Sequence, residues 1–63
     1  MIIYLTKTSG GTVAVNFNMV TFIEDCGEES EVHFPYASIS VKASLDEITR
    51  EVNRQKLMKE IRR

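Results

Sequence analysis

The sequence contains one cysteine, one histidine and one proline, and it contains no tryptophan. A single cysteine, Cys26, excludes an internal disulfide, and with His33 as the only histidine a zinc site built from cysteines and histidines is also excluded. A chain of about 60 residues buries only roughly 60% of its unfolded surface, so a core of this size is marginal. We therefore expect one domain, residues 1–63, and self-association as the remaining source of stability.

Long hydrophobic runs are absent as well. The longest, residues 1–5 and 19–23, are far shorter than the ~20 residues that a membrane span requires. The N-terminus shows no basic segment followed by a long apolar stretch and a small-residue cleavage site, so no signal peptide is predicted. Together with the lone cysteine, these features predict a cytoplasmic protein without a membrane span.

The segments that are present predict short strands. Residues 1–6 are rich in β-branched and aromatic side chains and precede Gly10 and Gly11, which readily take the positive φ values of a tight hairpin. Residues 12–17 alternate apolar and polar side chains, as a half-buried strand does. Three more strands are expected after the bend at residues 16–18, and they are placed at residues 19–24, 31–34 and 38–42.

The polar segment 25–30 is expected to connect the third and fourth strands as a hairpin, and Pro35 ends the fourth. The alternation also predicts which side chains face the core. They are Val13, Val15, Phe17, Val32, Phe34, Ile39 and Val41.

A helix is predicted over residues 45–60. Ser44 and Glu47 have the spacing of a capping box, and Leu45, Ile48 and Val52 share one helical face. The predicted fold is therefore mainly β with a C-terminal helix: five short antiparallel strands, arranged as a meander or small open barrel, followed by one α-helix.

The distal part of this helix carries a second group of apolar residues. At about 100° per residue, Leu57, Met58 and Ile61 fall on nearly the opposite side from Ile48 and Val52. Two readings are open: the helix frays or bends near Gln55, or these three residues form a partner-binding surface. We call Leu57, Met58 and Ile61 the distal apolar surface.

Acidic residues are concentrated in one short segment, namely at Glu24, Asp25, Glu28, Glu29 and Glu31. Their order does not reproduce a calcium-binding loop, so we expect a solvated hairpin and no metal site. Cys26 lies among these carboxylates, which disfavour a reactive thiolate, and His33 is expected at the surface. No nucleophile motif or phosphate-binding loop is visible, so we expect no catalytic residues, no cofactor and no enzymatic activity.

Basic residues are scarce before residue 42, although the formal net charge is only −1. Cations in the last turns of a helix offset its negative dipole end, which accounts for much of this asymmetry. The alternative is a nucleic-acid-binding surface formed by Lys7, Lys42, Arg50 and Arg54. Nucleic acid is the less favoured partner, because interleaved glutamates dilute the positive charge.

The chain as a whole resembles the FlbD/SwrD family of small flagellar and swarming motility proteins. The opening Met-Ile-x-Leu-Thr pattern is similar to residues 1–6, and the glycine turn and the following Val-Asn pair are similar to residues 10–16. Ile-Glu at residues 23–24 and Val-x-x-Ser at residues 41–44 complete the likeness. The resemblance implies a cytoplasmic accessory of motility that acts through protein contacts, as a small protein-interaction module.

A weaker resemblance links the chain to the CsrA family of dimeric RNA-binding regulators, which share its size, its order of elements and a similar opening. That resemblance implies RNA binding by a basic residue of the first strand, for which Lys7 stands here, and by an arginine after the last strand. Ala43 and Ser44 occupy the region expected for this arginine. We therefore expect a protein partner or a homo-oligomer, most simply a dimer.

Overall fold

The computed structural model describes the backbone of residues 1–61 and the side chains of residues 1–57. Five strands precede one helix: β1 (Ile2–Thr6), β2 (Thr12–Asn16), β3 (Phe22–Cys26), β4 (Glu29–His33), β5 (Ser38–Val41) and α1 (Leu45–Ile61). The predicted mainly β fold with a C-terminal helix is confirmed.

The strands form two antiparallel sheets that meet at one corner. β1 and β2 make a two-stranded sheet, and β3, β4 and β5 make a three-stranded sheet in sequence order. At the corner Lys7 bridges Val41, the amide of Thr8 donates to the Ser40 carbonyl at 3.0 Å, and the amide of Lys42 donates to the Thr6 carbonyl at 2.7 Å. Among the residues that the structure describes, no strand pairs with the rest of β1 on this side.

The β1–β2 turn depends on a glycine. Gly10 has φ of +102°, and its amide donates to the Lys7 carbonyl at 2.9 Å. The Lys7 amide donates to the Gly11 carbonyl at 3.0 Å, which closes a three-residue loop with a glycine bulge. This turn sets the register in which Ile3 lies opposite Val15.

The bounds of β3 and β4 correct the sequence-based prediction. Strand β3 begins at Phe22 instead of residue 19, because the Asn16 side chain and carbonyl accept from the amides of Asn18 and Met19 and hold the chain in a turn. The connection between β3 and β4, predicted to span residues 25–30, is only a two-residue turn at Gly27 and Glu28. This tight turn is possible because Gly27 takes φ of +86°. The residues on either side of this turn pair within the strands.

The core lies between the inner faces of both sheets and the first turns of α1. Val15, Val32, Val41 and Ile48 are almost fully buried in one cluster. The other side chains predicted to face the core pack against it, which confirms the alternation for Val13, Phe17, Phe34 and Ile39. Ser30 is also buried, although it is polar, and its hydroxyl donates to the Ala43 carbonyl at 2.7 Å.

The helix begins with the predicted capping box. The amide of Ser44 donates to Glu47 Oε1 at 2.9 Å, and the amide of Glu47 donates to Ser44 Oγ at 3.2 Å. Ile48 is buried and Val52 packs against the core, as the shared helical face predicts. The helix continues through Gln55 to Ile61. It therefore does not end at Gln55, and a bend or fraying near this residue stays a prediction.

Candidate interaction surfaces

The distal apolar surface begins where α1 leaves the sheets. Gln55 Nε2 donates to the Ile2 carbonyl at 3.4 Å and is the last described side chain of α1 that hydrogen-bonds a strand. Two residues further on, Leu57 is 58% exposed. The side chains of Met58 and Ile61 lie outside the described residues, so only their place on the helix is known.

The four basic residues proposed for nucleic acid fall into two pairs. Lys7 and Lys42 lie at the corner where the sheets meet, on adjacent rungs of the short β1–β5 contact. Their side chains alternate in direction: Lys7 is half-buried on the side of Val41, and Lys42 is exposed on the opposite side. Arg50 and Arg54 lie one turn apart on the exposed side of α1. Of the cations that follow them, Lys56 is exposed, and Arg62 and Arg63 lie outside the described residues.

Carboxylates lie beside three of these four cations. Lys42 shares one surface depression with Glu28, Glu29 and Glu47. Arg50 and Arg54 share another with Glu47 and Glu51. The four cations therefore do not form a surface of one charge.

Arg54 and Glu51 form an ion pair on the helix, reinforced by Gln55 Nε2, which donates to Glu51 Oε2 at 3.2 Å. Hydrogen bonds from Arg54 and then from Gln55 hold the pKa of the Glu51 carboxyl below its usual range, and the pair raises the pKa of Arg54. This local pairing weakens the field that Arg54 could offer to a phosphate.

The side chains on the outer face of the three-stranded sheet, most of which are polar, contact one another. The His33 ring stacks on Phe22 with centroids 4.1 Å apart, and His33 Nε2 lies 2.7 Å from Glu24 Oε1. His33 is half-buried on this outer face, and its side chain points in the direction opposite to Val32, as the alternation predicts. Cys26 is an exposed free thiol at the end of the same strand as Glu24.

Glu31 lies beside this stack and links two strands. Ser38 and Ser40 of β5 each donate a hydroxyl hydrogen bond to its carboxylate, both at 2.6 Å. The bonds from Ser38 and then from Ser40 hold the pKa of the Glu31 carboxyl below its usual range. The ionised carboxylate therefore stabilises the pairing of β4 with β5.

The lowered pKa of Glu31 predicts a pH-dependent contribution to stability. A carboxyl group whose pKa is lower in the folded than in the unfolded chain stabilises the fold when it is ionised. This contribution is complete above the pKa in the unfolded chain, roughly 4.3 for glutamate, and is lost as the pH falls through the pKa in the folded chain. Glu31→Gln is therefore expected to lower the free energy of unfolding at pH 7 and to match the wild type below both pKa values. Urea titrations at pH 7 and pH 3 measure this difference, and Glu28→Gln in the adjoining turn is the control. A Glu31→Gln deficit that is equal at both pH values would contradict the prediction.

A further apolar surface was not identified from the sequence. Ile2 and Tyr4 project from the outer face of the β1–β2 sheet and are 45% and 72% exposed, whereas Ile3 between them is buried. Ala14 lies directly opposite Tyr4 on β2. Residues 2–5 are all apolar, so no alternation in this segment separates the buried face from the exposed one. We call Ile2 and Tyr4 the β1 surface.

Two kinds of site are not found among the residues that the structure describes. No three or more His, Cys, Asp or Glu side chains are grouped so that they could hold a metal ion. No helix in the described part of the chain has both the length and the apolar character that crossing a bilayer requires.

Comparison of the chain with protein-family models, with curated proteins and with solved structures found no match.

Proposed function

We propose that this chain is a small, non-catalytic protein-interaction module of the cytoplasm, which binds a protein partner or a second copy of itself. The observation that carries the proposal is the exposure of Leu57 on an α1 segment that extends past Gln55, its last described hydrogen bond to a strand. Apolar residues on an amphipathic helix, of which Leu57 is the one described as exposed, are the type of anchor that docks into a groove on a partner.

The resemblance to the FlbD/SwrD family supports a role in flagellar or swarming motility. The short motifs that carry this resemblance lie in β1, in the first turn, in β3 and around the capping box, and those parts are structural in this fold. They support a shared scaffold, and the role in motility rests on the resemblance itself. In this proposal the scaffold presents the distal apolar surface to a motility protein.

The CsrA-like alternative, an RNA-binding regulator, has less support. The corner between the sheets does bring Lys7 and Lys42 onto adjacent rungs. Lys42, however, lies among carboxylates, and the field of Arg54 is reduced by Glu51. Phosphate binding depends on cations whose charge is available to the phosphate, so we keep the protein-interaction reading.

A double substitution tests the distal apolar surface. Leu57→Asp with Met58→Asp is expected to abolish partner binding while leaving the sheets folded, because it places two charges where an apolar contact must be desolvated. The measurement is swarm expansion of a strain in which the gene is deleted and then complemented in turn with the wild type and the double variant. We expect the wild type to restore swarming and the variant to fail.

The matched control is Leu57→Met with Met58→Leu, which keeps the surface apolar at nearly constant volume and should complement as the wild type does. Circular dichroism of the purified proteins establishes that all three chains have the same secondary structure. Full complementation by the charged variant would remove the distal apolar surface from the proposal. A deletion strain that swarms normally would remove the role in motility.

A further inference from the structure

Strand β1 has one edge that its hairpin does not use. The amide of Lys7 donates to the Gly11 carbonyl and the amide of Phe17 donates to the Met1 carbonyl, so the odd-numbered residues of β1 direct their main-chain groups at β2. In an antiparallel ladder the direction alternates along the strand. The amides and carbonyls of Ile2 and Tyr4 therefore point away from β2.

Two carbonyls on this edge, those of Thr6 and Ile2, already accept a hydrogen bond. The Thr6 carbonyl accepts from Lys42, after which the chain leaves β5 and enters α1. Further along, Gln55 Nε2 contacts the Ile2 carbonyl at 3.4 Å, a long bond that leaves a second lone pair free. Within the described residues, no hydrogen bond forms to the outward amide of Ile2 or to the outward amide and carbonyl of Tyr4.

The open edges of β1, β2 and β3 differ in their side chains. The β3 edge carries Glu24 and Asp25 as well as the exposed Phe22, and the two carboxylates discourage pairing with another chain. The exposed side chains of β2 are small or polar: Thr12, Ala14 and Asn16. The β1 edge instead combines an uncharged strand with the large exposed side chains of Ile2 and Tyr4.

We propose that the β1 edge binds the β1 edge of a second copy of this chain, antiparallel and around a two-fold axis at Ile3. In this register Ile2 lies opposite Tyr4 of the second copy, and the two residues exchange both main-chain hydrogen bonds. The symmetry repeats the exchange, which makes four bonds in all. Two hairpins then form one continuous four-stranded sheet.

The side chains support the same register. Ile2 and Tyr4 lie on one face of β1. In the dimer, the Ile2 side chain of each copy would therefore lie directly opposite the Tyr4 side chain of the other copy. Directly opposed β-branched and aromatic side chains stabilise antiparallel pairs. The β1 surface is therefore self-complementary, which is what an isologous interface requires.

This inference rests on the self-association part of the proposed function, and it does not involve the distal apolar surface. The β1 pairing and the role of the distal apolar surface can therefore be disproved independently of each other. Loss of dimerisation in the Leu57→Asp, Met58→Asp variant with β1 variants unaffected would assign the dimer to the helix and overturn the β1 pairing.

Residue-level hydrogen exchange at two protein concentrations tests the pairing directly. With light scattering to establish the mass, the Tyr4 amide is expected to exchange more slowly at the concentration where the dimer forms. The Ala14 amide points outward from β2 and is the internal control, with the same exchange rate at both concentrations. A Tyr4 amide that exchanges equally fast in monomer and dimer overturns the β1 pairing and leaves self-association intact. A monomer at every concentration overturns both.

A pair of substitutions provides the second test. Tyr4→Lys removes the tyrosine from both Ile2–Tyr4 pairs of the dimer and places a cation at each end of the β1–β1 contact. The dimer dissociation constant is therefore expected to rise about tenfold or more. Ala14→Lys puts the same charge on the same face, one strand away from the edge, and is expected to leave the constant unchanged. Equal weakening by both variants would indicate face-to-face association and would overturn the edge pairing.

Discussion

Ile48→Ala is expected to remove most of the stability of this domain. Ile48 is 1% exposed and is the residue through which α1 enters the cluster of Val15, Val32 and Val41. Truncating a buried isoleucine to alanine costs about 2–5 kcal/mol, because the lost transfer free energy adds to the cost of the cavity. A domain of this length has a total stability of roughly 3–9 kcal/mol at the usual values per residue.

The measurement is thermal and urea unfolding at one fixed protein concentration, since association would shift the apparent stability. For domains of 60–100 residues, each kcal/mol lowers Tm by about 4–8 °C, so a fall of roughly 10 °C or more is expected. Thr49→Ala, at the next and exposed position of α1, is the control and should have little effect. A loss below about 1 kcal/mol in Ile48→Ala would show that the cluster does not depend on the helix.

Ser30→Ala is expected to have the second large effect. The Ser30 side chain is 1% exposed, and its hydroxyl donates to the carbonyl of Ala43, between β5 and α1. The substitution leaves this partly buried carbonyl without its partner, which costs about 1–2 kcal/mol. Because the bond joins β4 to the segment that enters the helix, its loss also weakens the position of α1 on the sheets.

The control for Ser30→Ala is Ser38→Ala, which removes a hydroxyl whose hydrogen bond to Glu31 lies at the exposed surface. Urea unfolding is expected to show a clearly larger loss for the buried position. Equal losses at the two positions would mean that the bond to Ala43 is replaced by water, and the role assigned to Ser30 would then be wrong. Far-ultraviolet circular dichroism of Ser30→Ala should show unchanged helix content before unfolding begins.

Local patterns predicted much of the fold. The glycine turn, the alternation through Val13, Val15 and Phe17 and the capping box of Ser44 and Glu47 are all present in the structure. Each depends on residues within four positions of one another, so the sequence contains the information that such features need. The start of β3 was misplaced, because the turn at Asn16 competes with the apolar composition of residues 19–21.

The polar hairpin shows where sequence patterns become ambiguous. Polar side chains suggested a loop at residues 25–30, yet one glycine allows a two-residue turn, and Asp25 and Ser30 pair within the strands. The alternation that places Val32 inside also places Ser30 inside, but burying a hydroxyl requires a partner. That partner, the Ala43 carbonyl, is 13 residues away and is not visible in the local sequence.

The amino-acid sequence by itself determined the order of the elements, the core-facing side chains and the beginning of the helix, because these depend on local periodicity and on caps. Only the tertiary structure decided that β1 meets β5 at a single corner and that Glu31 accepts from two serines of the next strand. It also decided that, within the described residues, the amide of Ile2 and the amide and carbonyl of Tyr4 remain open. These features depend on which distant strands lie side by side. That arrangement follows from the burial of the whole core around Ile48, to which every element contributes and which no single segment encodes.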